Sequence, residues 1–186
     1  KNSLPDSEDL PMIHATISKM SKQISDYLIL GKPVDIVHES SQNIKDICYE
    51  IFNIVEVSLQ SKNLSLKSNI DYNIKPYLDK KHIELILINL ITNAIEASYE
   101  DSDIIVTWQQ SNNNSTLLKI ENSGKTIPND IKKKIFKPFF TTKKDGSGLG
   151  LFSIYKIVYT AKGKIEVISQ NEHTTFEIFI PNRNTK

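Results

Sequence analysis

Between Ile135 and Leu151 the chain reads IFKPFFTTKKDGSGLGL, and the glycines at 146, 148 and 150 run straight into the apolar periodic stretch LGLFSIYKIV. A glycine-rich turn that opens a helix constrains everything around it. Its first N–H groups lack intrahelical partners and point outward, so a triphosphate sits well against them. About forty residues upstream, Leu87 to Ser98 reads LINLITNAIEAS, with Asn89 and Asn93 four apart. On a helix that spacing sends both carboxamides out from one face. Taken in this order, one element offers amides to metal and phosphate and the other a cradle, which describes a site for ATP and Mg²⁺.

The bulk numbers narrow the rest. A length of 186 residues suits one good-sized domain plus an extra element. Hydrophobic content of 39% and charge of 24% are ordinary for a globular chain. A net charge of +1 gives no electrostatic case for nucleic acid or for an acidic membrane surface. The single cysteine, Cys48, rules out an intramolecular disulfide and fits a reducing compartment such as the cytoplasm. No apolar run approaches the ~20 residues of a membrane span, and no signal peptide is visible. Lys1 rather than methionine opens the chain. The expectation is a fragment of something longer, with room upstream for a sensor or a membrane anchor.

Along the chain, residues 1–11 read as a polar loop with two prolines. From Met12 the apolar positions Met12, Ile13, Ile17, Met20, Ile24, Tyr27 and Leu28 follow helical spacing, which Gly31 and Pro33 end. A second helix is expected from Ile36 to about Ser61, with Ile44, Ile47, Cys48, Ile51, Ile54 and Val55 on its inner face. NLSLKSNI (63–70) reads as a strand, and Asp79 caps a third helix from about Lys80 to Tyr99. DIIVTWQQ (103–110) and STLLKIE (115–121) read as strands, followed by a loop from 122 to 147 with a short helix near 128–136. A helix after Gly148 runs to about Thr160, and KIEVISQ (164–170) and TTFEIFI (174–180) form a closing hairpin stopped by Pro181. Helices come first and strands cluster late, so the class is α+β, a mixed sheet with helices packed on one face.

Four segments carry a resemblance. NLITNA (89–94), NSGKTIP (122–128), IFKPFFTTK (135–143) and GSGLGL (146–151) resemble, in order, the N, G1, F and G2 boxes of sensor histidine kinases of two-component systems. That catalytic domain belongs to a wider superfamily with gyrase and MutL. The similarity covers residues 36–181 and implies a two-layer α/β sandwich, a mixed sheet of about five strands backed by three helices. ISDYLILGKP (24–33) resembles the end of the second helix of the dimerisation and phosphoacceptor hairpin that precedes such a domain. The first hairpin helix, with its phosphorylated histidine, is absent. Residues 1–33 are thus expected to be a loop and hairpin remnant, 36–181 the ATP-binding domain, and 182–186 a tail.

The resemblance implies roles. Asn93 would hold Mg²⁺ through its side-chain oxygen, and Asn89 would hydrogen-bond a phosphate or a metal-bound water. Hydrolytic superfamily members place Glu where this chain has Asn89, and an amide is no base, so the site suits transfer better than hydrolysis. Asn122 stands where the family has the Asp that accepts from the adenine amino group, and its oxygen still accepts. Gly124 keeps the turn of that box, while Thr126, beside Ile127, replaces its second Gly and brings a β-branched residue near the base. Lys143, with Lys144 as second choice, would neutralise β/γ-phosphate charge. Gly146, Ser147, Gly148, Leu149 and Gly150 would wrap the phosphates, with Phe136, Phe139 and Phe140 anchoring a mobile lid over 129–147. Thr175 is placed near the adenine, with packing or solvent as its rival role. Glu96 reads as a solvated helix residue.

Other motifs fail on their spacing. Ser123-Gly-Lys-Thr lacks the Gly a P-loop needs at 119 and the helix after Thr126; GSGLGL lacks a Gly at 151 and a preceding strand. His38-Glu39 and His14 lack the phosphoacceptor context, and His82 and His173 read as surface residues. The function implied is an ATP·Mg²⁺-dependent protein histidine kinase, acting on a hairpin mostly outside this chain. Its full-length parent would be a homodimer serving a response regulator, without nucleic acid or membrane contact by this part. Two rivals remain: a serine kinase acting on an anti-anti-sigma-type protein, and a degenerate docking module motivated by Asn122 and Thr126.

Overall fold

The computed structural model describes residues 43–112, 114–144 and 146–182. The expected helix over 12–33, His14 and His38 lie outside the described residues. Nine elements follow in order: α1 (Ile44–Gln60), β1 (Ser65–Ile70), α2 (Lys80–Ala97), β2 (Asp103–Asn112), β3 (Ser115–Ser123), α3 (Asn129–Lys132), α4 (Gly150–Thr160), β4 (Lys164–Gln170) and β5 (His173–Pro181).

The strands form one mixed sheet in the order β1-β2-β3-β5-β4. β1 runs parallel to β2, and the other neighbours are antiparallel. Side chains alternate across each strand, so one sheet face carries the apolar set. That face buries Ile104, Val106 and Trp108 from β2, Leu118 and Ile120 from β3, and Phe176, Ile178 and Ile180 from β5. Helix α2 packs against β2 and β3, with α1 and α4 against its flanks and α4 reaching β4. The opposite face stays wet: Ile105 and Ile168 are exposed, and Lys119 pairs with Glu177 at 2.6 Å across the β3–β5 register. The α+β sandwich read from the sequence is therefore the fold. Trp108 is buried with its indole N–H satisfied, donating to Thr116 Oγ1 at 3.1 Å.

α1 begins at Asn43, whose side-chain oxygen accepts from the N–H groups of Lys45 and Asp46. It buries Ile44, Ile47, Cys48, Ile51, Val55 and Leu59. Ile54, expected on that stripe, is 65% exposed. At about 100° per residue it lies roughly 80° around the helix from the stripe's centre, too far to reach the core. Burial pushes the Cys48 thiol up to about 12, so it behaves as a small core side chain rather than a nucleophile.

α2 is the element that positions the site, and both ends are pinned. Asp79 caps its start by accepting from His82 N–H at 3.0 Å. At its end, the Lys62 ammonium donates to the carbonyls of Ile95 and Glu96, each at 3.0 Å, and of Ser98 at 3.3 Å. A cation on otherwise orphaned C-terminal carbonyls also meets the negative end of the helix dipole. Lys62→Met keeps the aliphatic stem and removes all three bonds. We expect it to lower the free energy of unfolding by about 1–2 kcal/mol, read by urea titration.

His82 is a correction to the sequence reading. It is 7% exposed, not on the surface, because the third position of α2 folds back over the Asp79 cap. Its Nδ1 lies 2.7 Å from Asp79 Oδ1, but off the line a ring N–H bond needs, and Nδ1 and Asp79 Oδ2 both lack a hydrogen-bond partner. Burial lowers the His82 pKa below its ordinary value, outweighing the pull of Asp79. A histidine held neutral on folding takes up protons more readily when unfolded. Its stabilising contribution is therefore complete above about pH 6.5 and is lost as pH falls through the folded-state pKa. The stability of His82→Gln is expected to decline less steeply below pH 6.5 than that of the wild type, measured by denaturation at matched pH.

Candidate functional site

Asn89 and Asn93 leave the same side of α2, toward the chain that follows β3. Asn89 is 4% exposed. Its Nδ2 donates back to Leu85 O at 2.9 Å, which fixes the carboxamide and turns Oδ1 outward from the helix. Gly150, the first residue of α4, approaches so closely that a Cβ there would lie 2.7 Å from Asn89 Oδ1. The two segments that the sequence singled out therefore meet. Asn93, one turn on, is half-buried, and its Oδ1 accepts from Lys143 Nζ at 2.8 Å. The same ammonium pairs with Glu96, so Glu96 is not merely solvated as the sequence suggested. Lys143, rather than Lys144, is the lysine that reaches this site.

Residues 124–144 and 146–149 lie between β3 and α4 and carry α3. α3 is one turn long, shorter than the helix expected near 128–136. Ile135 is buried, and Phe136 and Phe140 pack partly buried against the core. Phe139, expected as a third anchor, is 59% exposed with φ +63. Its backbone, not its ring, has the structural role. Gly148 has φ +67, and a Cβ there would lie 2.4 Å from the Phe139 carbonyl carbon. A left-handed backbone packed against another main chain needs glycine. Leu149 is fully buried at the entrance to α4, and its N–H donates to Ser147 Oγ at 3.3 Å. No side chain caps α4, so its leading N–H groups have no acceptor within the helix.

A second cluster lies at the end of β3. Asn122 is 5% exposed, and its Nδ2 has no hydrogen-bond partner. In register across the β3–β5 pairing stands Thr174. Its hydroxyl bonds Ser169 Oγ at 2.8 Å, and Ser169 Oγ also accepts from Ile127 N–H at 2.8 Å. Thr174 and Ser169 are each 5% exposed. Thr175, the residue chosen from sequence, falls one position on and so faces the opposite side of the sheet. Thr174 and Ser169 were missed, and strand periodicity counted back from the buried Phe176 was the available clue. Thr126 Oγ1 accepts from Glu172 N–H at 3.0 Å, so its branched side chain is tied to the β4–β5 turn. Gly124 bridges to Ser98, donates to Glu172 O at 2.7 Å, and passes so near α2 that a Cβ would lie 2.1 Å from Ala97 O.

The cleft thus has a carboxamide oxygen held by a displaceable ammonium, a glycine cradle that side chains would fill, and a buried amide donor without an acceptor. Neutral hard oxygens beside uncapped N–H groups and a lysine suit a polyphosphate carrying Mg²⁺. A softer metal is not indicated, because no group of three His, Cys, Asp or Glu among the described residues is placed to hold one.

Residues 78–184 match the family described as histidine kinase-, DNA gyrase B- and HSP90-like ATPase. The chain is 28% identical over 174 residues to sporulation kinase E of Bacillus subtilis, covering 92% of this chain and 23% of that protein. It is 31% identical over 165 residues to the sensor histidine kinase ZraS of Salmonella typhi, covering 88% and 35%. The chain therefore spans about a quarter to a third of these relatives. Among solved structures, the nucleotide-free catalytic domain of the histidine kinase ThkA superimposes with a TM-score of 0.69 at 31% identity, over 78% of this chain and 97% of that one. ThkA in complex with the response regulator protein TrrA gives 0.72 at 26% identity, over 98% and 53%.

Proposed function

Since the chain belongs to the histidine kinase-, DNA gyrase B- and HSP90-like ATPase family, we propose that it binds ATP with Mg²⁺ and passes the γ-phosphoryl group to a histidine imidazole outside the described residues. The bond between the γ-phosphorus and the β–γ bridging oxygen breaks, an N–P bond forms, and ADP leaves. The observation that carries this reading is the approach of Gly150 to Asn89 Oδ1, which makes one cleft of the carboxamide helix and the glycine loop.

In this reading Asn93 Oδ1 would hold Mg²⁺, which would neutralise phosphate charge. Lys143, bonded here to Asn93 Oδ1 and paired with Glu96, would be the cation that meets the phosphate oxygens. The N–H groups of residues 146–150 and the start of α4 bind phosphate oxygens. Asn122, with Thr174 and Ser169 behind it, contacts the base; Gly124 and Ile127 shape that end of the cleft, and Thr126 is held clear by Glu172. Asn89 orients without acting as a base, so water is not activated and transfer prevails.

We propose further that the full-length protein acts as a homodimer, phosphorylates its own hairpin and serves a response regulator. The last of these is supported by the similarity to the histidine kinase ThkA in complex with the response regulator protein TrrA. No helix among the described residues is long and apolar enough to cross a membrane. We propose a cytoplasmic place for this part on the ground of its free thiol, Cys48. The full-length protein incubated with labelled ATP tests the acceptor. Acid-labile, base-stable label marks phosphohistidine. Acid-stable label would assign the chemistry to a serine kinase instead.

A further inference from the structure

We infer that Asn122 makes the base pocket permissive at the purine 6-position, so that the chain binds 6-oxopurine triphosphates, such as those of guanine and hypoxanthine, alongside ATP. This rests on the proposed reading of the cleft as a nucleotide site.

Asn122 is the last inward-facing side chain of β3 before the chain passes Gly124. Its Nδ2 is buried, has no acceptor, and lies 3.2 Å from where a Gly124 Cβ would sit. A buried donor left without a partner is costly, and a ligand that supplies an acceptor relieves that cost. The hydroxyls beside it are neutral, and one cation, the Lys132 ammonium, donates to the Ser169 carbonyl at 3.3 Å. Thr174 and Ser169 bond to one another, and Ser169 takes the Ile127 N–H. The two nearby carboxylates are directed elsewhere: Glu121 lies on the outer side of β3, and Glu172 accepts from Tyr99 OH at 2.8 Å. Neither of these carboxylates therefore faces Asn122.

The chemistry of the 6-position then decides selectivity. Adenine presents an amino donor there and guanine or hypoxanthine a carbonyl acceptor. A carboxylate accepts only, so it pairs with the amino group and repels the carbonyl. A carboxamide has one donor and one acceptor. It pairs with adenine through N6–H to Oδ1 and Nδ2–H to N1. It pairs with a 6-oxopurine through Nδ2–H to O6 and N1–H to Oδ1. Both pairings satisfy Nδ2.

Calorimetric titration of the wild-type chain with ATP, GTP and ITP in Mg²⁺ tests this. ITP isolates the 6-position, because it lacks the 2-amino group of GTP. The expected result is ITP and GTP affinities within about tenfold of ATP, and Asn122→Asp weakening ITP relative to ATP by at least about tenfold. ATP bound more than about 100-fold tighter than both others by the wild type overturns the inference and leaves the nucleotide site standing. Binding of none of the three overturns both. The wild-type comparison decides the matter even if Asn122→Asp fails to fold, which its circular dichroism reports. A folded Asn122→Asp with an unchanged ITP-to-ATP ratio also overturns it.

Discussion

Alanine at position 93 is expected to weaken Mg²⁺-dependent binding of a non-hydrolysable ATP analogue by about 100-fold while leaving Mg²⁺-free binding nearly unchanged. The magnitude follows from removing a first-contact oxygen, since even partners of metal ligands typically account for 10–100-fold. Asn93 is half-buried on the open side of α2, and its side-chain oxygen accepts from Lys143. Its loss therefore leaves the core untouched, and the variant should unfold within about 0.5 kcal/mol of the wild type. Paired titrations with and without Mg²⁺ measure both arms. Equal affinities for wild type and variant in Mg²⁺ would remove the metal role given to this helix.

The second large effect separates stability from binding through two glycines. Gly124→Ala should destabilise the fold by about 3 kcal/mol. The new methyl would meet the Ala97 carbonyl, which is main chain at the end of α2 and cannot swing aside. Relief requires parting β3 from α2, which breaks the Ser98 bridge and the bond to Glu172 O, and large losses come from such backbone displacement. Gly150→Ala should behave in the opposite way. Its methyl would meet Asn89 Oδ1, a side-chain oxygen that can turn aside by giving up the bond from Nδ2 to Leu85 O, and alanine offsets that loss as the better helix former by about 1 kcal/mol. Stability should hold or rise slightly, while Mg²⁺-nucleotide affinity falls at least about tenfold because Asn89 is pushed from its place. Thermal melts and calorimetry on both variants read the contrast. A tightly binding Gly150→Ala would mean that the contact with Asn89 does not matter to the ligand.

Much of this architecture was legible where one residue dictates one local geometry. Asp79 before an apolar run marked the start of α2, and the glycines marked the turn into α4, because a capping carboxylate and a left-handed glycine such as Gly148 act through local backbone geometry. Alternating apolar runs marked the strands, with ends within about two residues. Features that depend on phase or on distant partners were harder. Thr174 and Thr175 are identical in type, and only the register with Asn122 shows which faces the cleft. Ile54 belongs to an apolar pattern by composition yet misses the core by its angle on α1. His82 is buried by the fold-back at a cap, a contact with no local spacing rule. Glu96 gained its partner from a lysine 47 positions away, which no helix periodicity encodes. Phe139 carried an aromatic side chain at a position where the chain needed its backbone.

The most direct test of the account is a crystal structure of the chain with a non-hydrolysable ATP analogue and Mn²⁺ in place of Mg²⁺, located by its anomalous scattering. The account predicts manganese on Asn93 Oδ1, the triphosphate against the N–H groups of residues 146–150, and Lys143 released from Asn93 onto phosphate oxygen. Manganese and nucleotide bound away from α2, or a cleft with Lys143 still seated on Asn93 at saturating nucleotide, would contradict it.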